Sequence, residues 1–371
     1  MIHKNIIIGS GFSSIGAILG LKKKREKFLV ITGKALSKKN DKNLIFLPSR
    51  DFEKFKKNIY QSIKNNNLSV NVKNNFISYL GFGGLSNLWG KIFNYDIDGN
   101  VYLKNYLKKE LKIKDHEELN IHKNLKLFKL NEQNVSLNKF YKSFNKSKLN
   151  TINSTVKDLK YDNSQKIFKI YLINNKILKT KKIYLCCGIF STLKLLRSIN
   201  KKIYKNRIQL NHSDMCYGIF FSKKPKFESK IGKEFIYFSK NKNKFAGRIS
   251  ILNRQIVRKY NLNLLFFLLY KFCKLFKIRI FVLSVLYKRP SNASTIYFKN
   301  SLIKIKALKT SKNQLILNEL KKILKETFNV KYFIFKKTLV GSDFHYSSRI
   351  NKNIINKHAN IFCKNLYILD S

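Results

Sequence analysis

Residues 6–21 read Ile-Ile-Ile-Gly-Ser-Gly-Phe-Ser-Ser-Ile-Gly-Ala-Ile-Leu-Gly-Leu. A short β-branched run, a glycine turn and an apolar helix follow in the order that opens a dinucleotide-binding unit. Gly9 allows a tight turn, and Gly11 lets a pyrophosphate approach the backbone at the N-terminus of the helix. Ser14 holds the third small position, and Gly16 follows within the helix. The pattern favours nucleotide binding, and the alternative is a plain tight turn in a buried strand–helix unit.

A second strand is predicted at 27–32. Nucleotide-binding proteins of this kind usually place an acid at its end, where it binds the adenosine ribose. Here the position holds Thr32, followed by Gly33 and Lys34. A hydroxyl bonds a ribose more weakly than a carboxylate does, and the cation of Lys34 favours a phosphate.

Glycines are concentrated again at 79–93, which read Tyr-Leu-Gly-Phe-Gly-Gly-Leu-Ser-Asn-Leu-Trp-Gly-Lys-Ile-Phe. The segment also holds the single Trp of the chain. Glycine is costly to order, so its concentration indicates backbone packed closely against something flat or charged. A glycine-rich bend in a core is the alternative.

At this segment the sequence resembles the glucose–methanol–choline (GMC) family of FAD-dependent oxidoreductases, in particular its pyranose-oxidase-like members and those of bacterial surface-polysaccharide metabolism. In that family a Gly-Gly-x-Ser segment lies along the flavin, and Gly83, Gly84 and Ser86 match it. The resemblance implies that Asn87 faces the reactive edge of the flavin. It also implies non-covalent FAD, because Leu88 stands where some relatives attach the flavin through His.

The middle of the chain predicts paired strands at 166–173 and 176–187, joined by a turn at Asn174-Asn175. A glycine turn at Gly188 and a leucine-rich helix follow, with Ser191 or Thr192 as the predicted N-cap. This order resembles the second signature of the family and implies that Gly188 lies at the cofactor. An ordinary strand–helix turn is the alternative.

The carboxyl-terminal residues resemble the end of the family's flavin domain. His345 lies in a polar loop that matches the loop of the active-site His, so the resemblance implies that His345 is the catalytic base. Asp370 matches the acid that follows the last apolar strand and lies near the cofactor. The family continues into a further helix, whereas this sequence stops at Ser371, so we expect a shortened carboxyl-terminal end.

The composition sets the remaining expectations. The 371 residues carry 76 Lys or Arg against 20 Asp or Glu, a formal net charge of +56. Lys greatly outnumbers Arg, which indicates A/T-rich codons as the main cause and argues against nucleic acid, whose readers favour Arg. The five Cys lack zinc-type spacing, so no metal is expected. The start of the chain has no signal-peptide pattern, so we expect a cytoplasmic protein.

One segment, 262–287, is very apolar with spaced lysines. Its longest uncharged piece is too short to span a bilayer. The mix of aromatics, Leu and Lys suits an interfacial helix at a membrane surface. Internal packing as one or two buried helices, or contact with a partner, is the alternative.

The predicted fold is α/β: an FAD-binding Rossmann-like domain with a discontinuous α+β substrate domain containing an antiparallel sheet. We assign 1–100, 151–220 and 335–371 to the FAD domain, 101–150 to a covering insertion and 221–334 to the substrate domain. Alternating stretches at 233–239, 244–252 and 293–306 predict the antiparallel sheet. An amphipathic helix is predicted at 311–328, with Leu317, Leu320, Leu324 and Phe328 on one stripe.

The resemblance implies an oxidoreductase that binds FAD and transfers a hydride to it from an alcohol group of a sugar or polyol. Three alternatives stay open. They are a catalytically inactive or truncated flavin-fold protein at a membrane surface or on a partner, an NAD-dependent enzyme, and a basic nucleic-acid-binding protein.

Overall fold

The computed structural model describes residues 1–33, 68–70, 109, 117–122, 125–129, 150–199, 208–211, 213–222, 234–239, 245–251, 264–288, 294–299, 302–307, 313–335, 347–349 and 365–369. Its helices are α1 (Phe12–Lys23), α2 (Ile189–Ile199), α3 (Leu264–Leu275) and α4 (Asn313–Phe328). Its strands are β1 (Ile2–Ile8), β2 (Leu29–Thr32), β3 (Leu68–Val70), β4 (Glu117–His122), β5 (Leu125–Lys129), β6 (Thr151–Asn153), β7 (Val156–Asp162), β8 (Ile167–Leu172), β9 (Ile177–Leu185), β10 (Ile208–Asn211), β11 (Ser213–Ser222), β12 (Glu234–Ser239), β13 (Phe245–Ile251), β14 (Arg279–Lys288), β15 (Ser294–Lys299), β16 (Leu302–Ala307), β17 (Val330–Phe335), β18 (Ser347–Arg349) and β19 (Leu366–Ile368).

The first sheet contains the strand that opens the chain. Among the described residues its order is β6-β2-β1-β9-β8-β7, and β19 also pairs with β9. Strands β6, β2, β1, β9 and β19 run parallel, whereas β8 and β7 are antiparallel additions. The sheet therefore joins residues from the beginning, the middle and the far end of the sequence.

Both faces of the first sheet are covered, as a parallel sheet requires. On one face, Ile15 and Ile18 of α1 pack with Ile7 and Val30. On the other face, apolar side chains of α2 such as Leu193 pack against the sheet. The β-branched run of β1 is fully buried, because alternate residues point to opposite covered faces.

A second, five-stranded sheet has the order β18-β10-β15-β16-β3. Strands β15 and β16 form an antiparallel hairpin in it, so the stretch predicted at 293–306 is a strand pair. The pair belongs to a different sheet from 234–239 and 245–251, with which it was expected. Its apolar side chains, Ile296, Ile303 and Ile305, are buried in the same core as the first sheet.

The third sheet is antiparallel, with the order β17-β11-β14-β13-β12-β5-β4. The stretches predicted at 233–239 and 244–252 are confirmed as strands of this sheet, β12 and β13, which pair with each other. Helix α4 covers this sheet, and its predicted stripe is confirmed, since Leu317, Leu320, Leu324 and Phe328 are all buried. Phe328 packs on Phe220 and Phe281, whose rings stack with centroids 4.6 Å apart.

The apolar segment 262–287 is not one helix or a pair of helices. Helix α3 ends at Leu275, and β14 follows as a central strand of the third sheet. Along β14, Phe281, Leu283 and Val285 are fully buried, which explains the apolar run. Within the described residues, no helix has the length and apolarity needed to cross a membrane.

Strands from different predicted domains lie together in the third sheet. Strands β4 and β5, from the predicted covering insertion, pair in the third sheet. Strand β11, placed largely in the predicted FAD domain, lies there too. The domain boundaries themselves stay a prediction.

Candidate dinucleotide site

The candidate site lies where four parallel strands end. Strands β1, β2, β9 and β19 run in one direction, so the residues that follow them meet at the same edge of the sheet. In open α/β sheets, ligands bind in the crevice outside this carboxyl edge. Gly9, Thr32 and Gly188, assigned to the cofactor from sequence, each lie at or just beyond one of these strand ends.

Gly9 forms the turn at the end of β1. Its φ is +107°, and its N–H donates to the carbonyl of Ile31 at 2.8 Å. A Cβ at this position would lie 2.1 Å from the carbonyl oxygen of Cys186. A real Cβ essentially never comes this close to backbone atoms. Only glycine therefore fits where the turn after β1 approaches the backbone that follows β9.

Helix α1 presents its N-terminus to this edge. Gly11 is the N-cap, with φ −72° and ψ −171°, and no side chain caps the helix. Ser14 is fully buried and donates from Oγ to the carbonyl of Gly11 at 2.6 Å. A helix start with a glycine cap and a positive dipole end suits a phosphate group.

Gly16 differs from the other assigned glycines. It is exposed on α1, and none of the described residues would contact a Cβ placed there. Ser14, which holds the third small position of the motif, is buried. The structure therefore gives Gly16 no packing role, and its assignment to the cofactor stays a prediction.

Thr32 lies at the end of β2, where an acid was expected in proteins of this type. Its side chain is only 1% exposed. Its Oγ1 lies 2.9 Å from Oγ of Ser10 and donates to the carbonyl of Gly33 at 3.1 Å. The hydroxyl thus joins β2 to the glycine turn, and it could donate to a ribose only if its hydrogen bond to Gly33 broke.

Ser10 was not singled out from the sequence. It is 4% exposed and lies between the two glycines of the turn. Its position in Gly-Ser-Gly signals a turn residue, but its hydrogen bond to Thr32 depends on the parallel pairing of β1 with β2. That pairing is not visible in the local sequence.

Gly188 is confirmed as the turn between β9 and α2, with φ +81°. The helix begins at Ile189, so the predicted N-caps Ser191 and Thr192 lie inside its first turn. The Thr192 N–H donates to the Gly188 carbonyl at 2.9 Å, and its hydroxyl lies 3.3 Å from Sγ of Cys187. Gly188 is therefore the N-cap of α2, a position that glycine can occupy.

The last described strand completes the edge. Leu369 follows β19 and donates its N–H to the carbonyl of Leu185 at 3.0 Å. Tyr367 of β19 stacks on Tyr184 of β9 with ring centroids 4.9 Å apart. Burial, then the neighbouring Tyr367 and Glu26, raise the pKa of Tyr184 to about 12, so this phenol stays neutral at physiological pH.

Several assigned residues lie outside the described residues. They are Gly83, Gly84, Ser86 and Asn87 of the second glycine cluster, the proposed base His345, and Asp370. In the sequence, Asp370 directly follows the described Leu369. Their roles stay predictions from sequence.

Among the described residues, no group of three or more His, Cys, Asp or Glu side chains could hold a metal ion. The features at the strand edge are the tight turn at Gly9, the glycine-capped helix and the second glycine turn at Gly188. These features fit the pyrophosphate of a dinucleotide, which needs close backbone approach and N–H donors.

Comparison with known proteins places the fold. No family model matches the sequence, and no curated protein matches it. Pyridoxine 4-oxidase from Mesorbium loti is similar in structure, with a TM-score of 0.59 and 10% sequence identity over 99% of this chain and 93% of the oxidase.

Two further structures are more distant. Tetracycline destructase Tet(51) has a TM-score of 0.30 and 10% identity over 99% of this chain and 74% of its own. A ferredoxin-flavin thioredoxin reductase from Clostridium acetobutylicum has a TM-score of 0.23 and 14% identity over 51% and 38%. These two likenesses are too weak to support any argument. The predicted α/β class is confirmed, and the chain has the mixed α/β fold of pyridoxine 4-oxidase.

Proposed function

We propose that the chain is an FAD-dependent oxidoreductase that oxidises an alcohol group of a sugar or polyol. The observation that carries the proposal is the Gly9 turn beside the glycine-capped start of α1, at the carboxyl edge of parallel strands. It occurs in the fold of pyridoxine 4-oxidase. The substrate class comes from the sequence resemblance at 83–90.

The described residues fit the ADP half of FAD. The pyrophosphate would lie at Gly9 and Gly11, where the N–H groups at the start of α1 stabilise negative charge. Gly188 would bring the start of α2 to the same edge. No acid follows β2, so the ribose would be bound by backbone groups or by Thr32 after its internal hydrogen bonds rearrange.

The residues assigned to the reacting half of the site are predicted from the sequence alone. FAD, when bound, accepts a hydride from the substrate carbon. We assign His345 to accept the hydroxyl proton and Asn87 to the neighbouring edge of the flavin. The second glycine cluster, with Gly83, Gly84 and Ser86, would lie along the ring system, and Asp370 would lie near the cofactor.

The visible spectrum of the purified protein is the first test. We expect flavin absorption that survives purification and is released by acid precipitation, because the FAD is proposed to be non-covalent. A colourless protein that cannot be reconstituted with FAD would reject the proposal. Flavin that stays attached after precipitation would contradict the non-covalent assignment made from Leu88.

The role of His345 is tested separately with His345→Ala. We expect flavin reduction by substrate to slow by roughly 100-fold or more, with little change in FAD content, since a positioned base contributes about that factor. His3→Ala is the matched control, because His3 pairs with Thr180 far from the carboxyl edge. An unchanged reduction rate in His345→Ala would remove His345 from this role.

One observation favours a second candidate, a flavin-fold protein without catalysis. The position of the ribose acid holds Thr32, and its hydroxyl is already bonded to Ser10 and Gly33. Such a protein would bind no FAD, or would bind FAD that no sugar or polyol reduces. A screen of both classes of alcohol with the reconstituted protein separates this candidate from the enzyme.

A further inference from the structure

Helix α3 carries exposed apolar side chains on one face. Leu268 is 55% exposed, Phe272 58% and Leu275 79%, and Phe276 in the following turn is 55% exposed. At 100° per residue, the three helical positions fall within about 60° of arc. They form a narrow stripe, which we call the α3 stripe and which includes Phe276.

The opposite side of the helix is attached to the protein. Cys273 is 5% exposed, and burial raises the pKa of its thiol. The helix ends in a closed turn in which the Ile278 N–H donates to the Cys273 carbonyl at 2.8 Å and the Lys277 N–H to the Lys274 carbonyl at 3.2 Å. These are the two bonds of a Schellman motif, so Phe276 is held in place rather than frayed.

The two aromatic residues of the stripe contact each other at the surface. The rings of Phe272 and Phe276 have centroids 4.7 Å apart and are tilted by 47°. A single exposed large apolar side chain is common on a protein surface, but three on one face of a short helix and a fourth in its closing turn form an apolar patch, which usually marks an interaction site.

Charge indicates the occupant. Lys271 and Lys274 lie on the same helix, Lys277 lies in its closing turn, and all three are exposed. Residues 264–279 contain no Asp or Glu, and the whole chain carries a formal charge of +56. An apolar, aromatic stripe beside lysines complements the anionic headgroups and acyl chains of a bilayer surface.

We propose that the α3 stripe docks the protein on an anionic lipid bilayer. Leu268, Phe272, Leu275 and Phe276 enter the interface, and Lys274 and Lys277 contact the headgroups. The surface is limited to α3 and its closing turn, because β14 is a central strand of the third sheet and its Ile280, Phe281, Leu283 and Val285 are buried. Contact of this kind is peripheral.

Vesicle co-sedimentation of the full-length protein tests the proposal. We expect binding to vesicles with about 30% phosphatidylglycerol and far weaker binding to pure phosphatidylcholine, because the lysines require anionic lipid. Phe272→Ala/Phe276→Ala should lower the partition coefficient roughly tenfold, through loss of two aromatic side chains from the interface. Lys274→Glu/Lys277→Glu should lower the partition coefficient by roughly fivefold or more for each lysine replaced.

Helix α4 and strand β17 offer matched controls. Leu315 and Tyr332 are 73% and 69% exposed, so Leu315→Ala/Tyr332→Ala removes a comparable apolar pair elsewhere. Lys322 and Lys325 are exposed on α4, so Lys322→Glu/Lys325→Glu changes the net charge equally. Both control variants should bind within about twofold of the parent protein, and circular dichroism checks that every variant is folded.

Insertion is measured independently with Phe272→Trp, whose added fluorescence should be quenched by brominated lipid, unlike that of Leu315→Trp. Equal losses in the α3 and control variants would show diffuse attraction of a basic protein and overturn the proposal. Binding that is unchanged in Phe272→Ala/Phe276→Ala would also overturn it. So would conversion of an oligomer to a monomer by this variant without a change in vesicle binding, which would assign the stripe to a second copy of the chain.

Discussion

Gly9 and Gly16 belong to the same short motif, but of the two only Gly9 lies where a Cβ would clash with backbone. Gly9 adopts a positive φ of +107° beneath the carbonyl of Cys186, whereas Gly16 lies exposed on a regular helix. The sequence predicted the first correctly, because a glycine directly after a buried β-branched run marks a tight turn. The sequence did not show that Gly16 is exposed, because spacing alone does not indicate which face of the helix packs on the sheet.

Alanine substitution distinguishes these two positions. Gly9→Ala should lower the free energy of unfolding by about 3 kcal/mol or more, because it combines a backbone clash with a strained φ. Gly16→Ala should raise it by about 0.5–1 kcal/mol, since alanine favours a helix interior. Urea denaturation of both variants measures the difference, and a tolerated Gly9→Ala would contradict the described turn.

The β-hairpins are the elements that the sequence predicted best. Turn residues at Asn174-Asn175 placed the β8–β9 hairpin, and Asn175 indeed adopts a positive φ of 61°. Strand β14 was missed because a short apolar run reads equally well as a buried strand or a buried helix. The segment is a strand because it pairs with β11 and β13. Both partners lie well before it in the sequence, so a local pattern does not reveal the pairing.

The β7–β8 hairpin contains a charge contact with a predictable pH dependence. Asp162 lies 2.9 Å from Nζ of Lys169 and accepts hydrogen bonds from Ser164 and Gln165. The hydrogen bond from Lys169 is the largest cause that lowers the pKa of Asp162 well below its usual 3.8, and the bonds from Ser164 and Gln165 add to it. The carboxylate therefore stabilises the fold above about pH 4, and this contribution is lost as pH falls through the folded-state pKa.

Asp162→Asn tests this contact. The urea midpoint of the variant should lie below that of the parent at pH 7, and the gap should narrow as the pH is lowered below about 4. In a Lys169→Met background the substitution should cost less, because the main partner is gone. A gap that is constant from pH 7 to pH 3 would exclude the carboxylate as its source.

The charge of the whole molecule acts on its stability as well as on its partners. A formal charge of +56 makes the compact state repel itself, and salt shortens the range of that repulsion from about 10 Å at 0.1 M to about 3 Å at 1 M. The sequence interpretation is that codon usage produced most of this charge. Stability should then depend strongly on ionic strength.

Thermal unfolding across that range of sodium chloride measures the effect. We expect the midpoint to rise by several degrees between about 0.1 M and 1 M salt, where roughly 1 kcal/mol corresponds to about 1–2 °C in a chain of this size. Lys322→Glu/Lys325→Glu should raise the midpoint at low salt and flatten the salt dependence. A midpoint that is independent of salt would show that the charges are already neutralised within the fold.

Strand β9 has consequences for how the chain is made. Ile183 lies between Ile6 of β1 and Leu366 of β19, so the centre of the first sheet receives its neighbours from remote parts of the sequence. Pairing over such separations is slow, because loop closure must precede the contacts that reward it. During synthesis, the apolar run at 6–8 leaves the ribosome long before β9 exists to cover it. We therefore expect the nascent chain to need chaperones, and its yield in a cell to follow the balance between translation speed and chaperone supply.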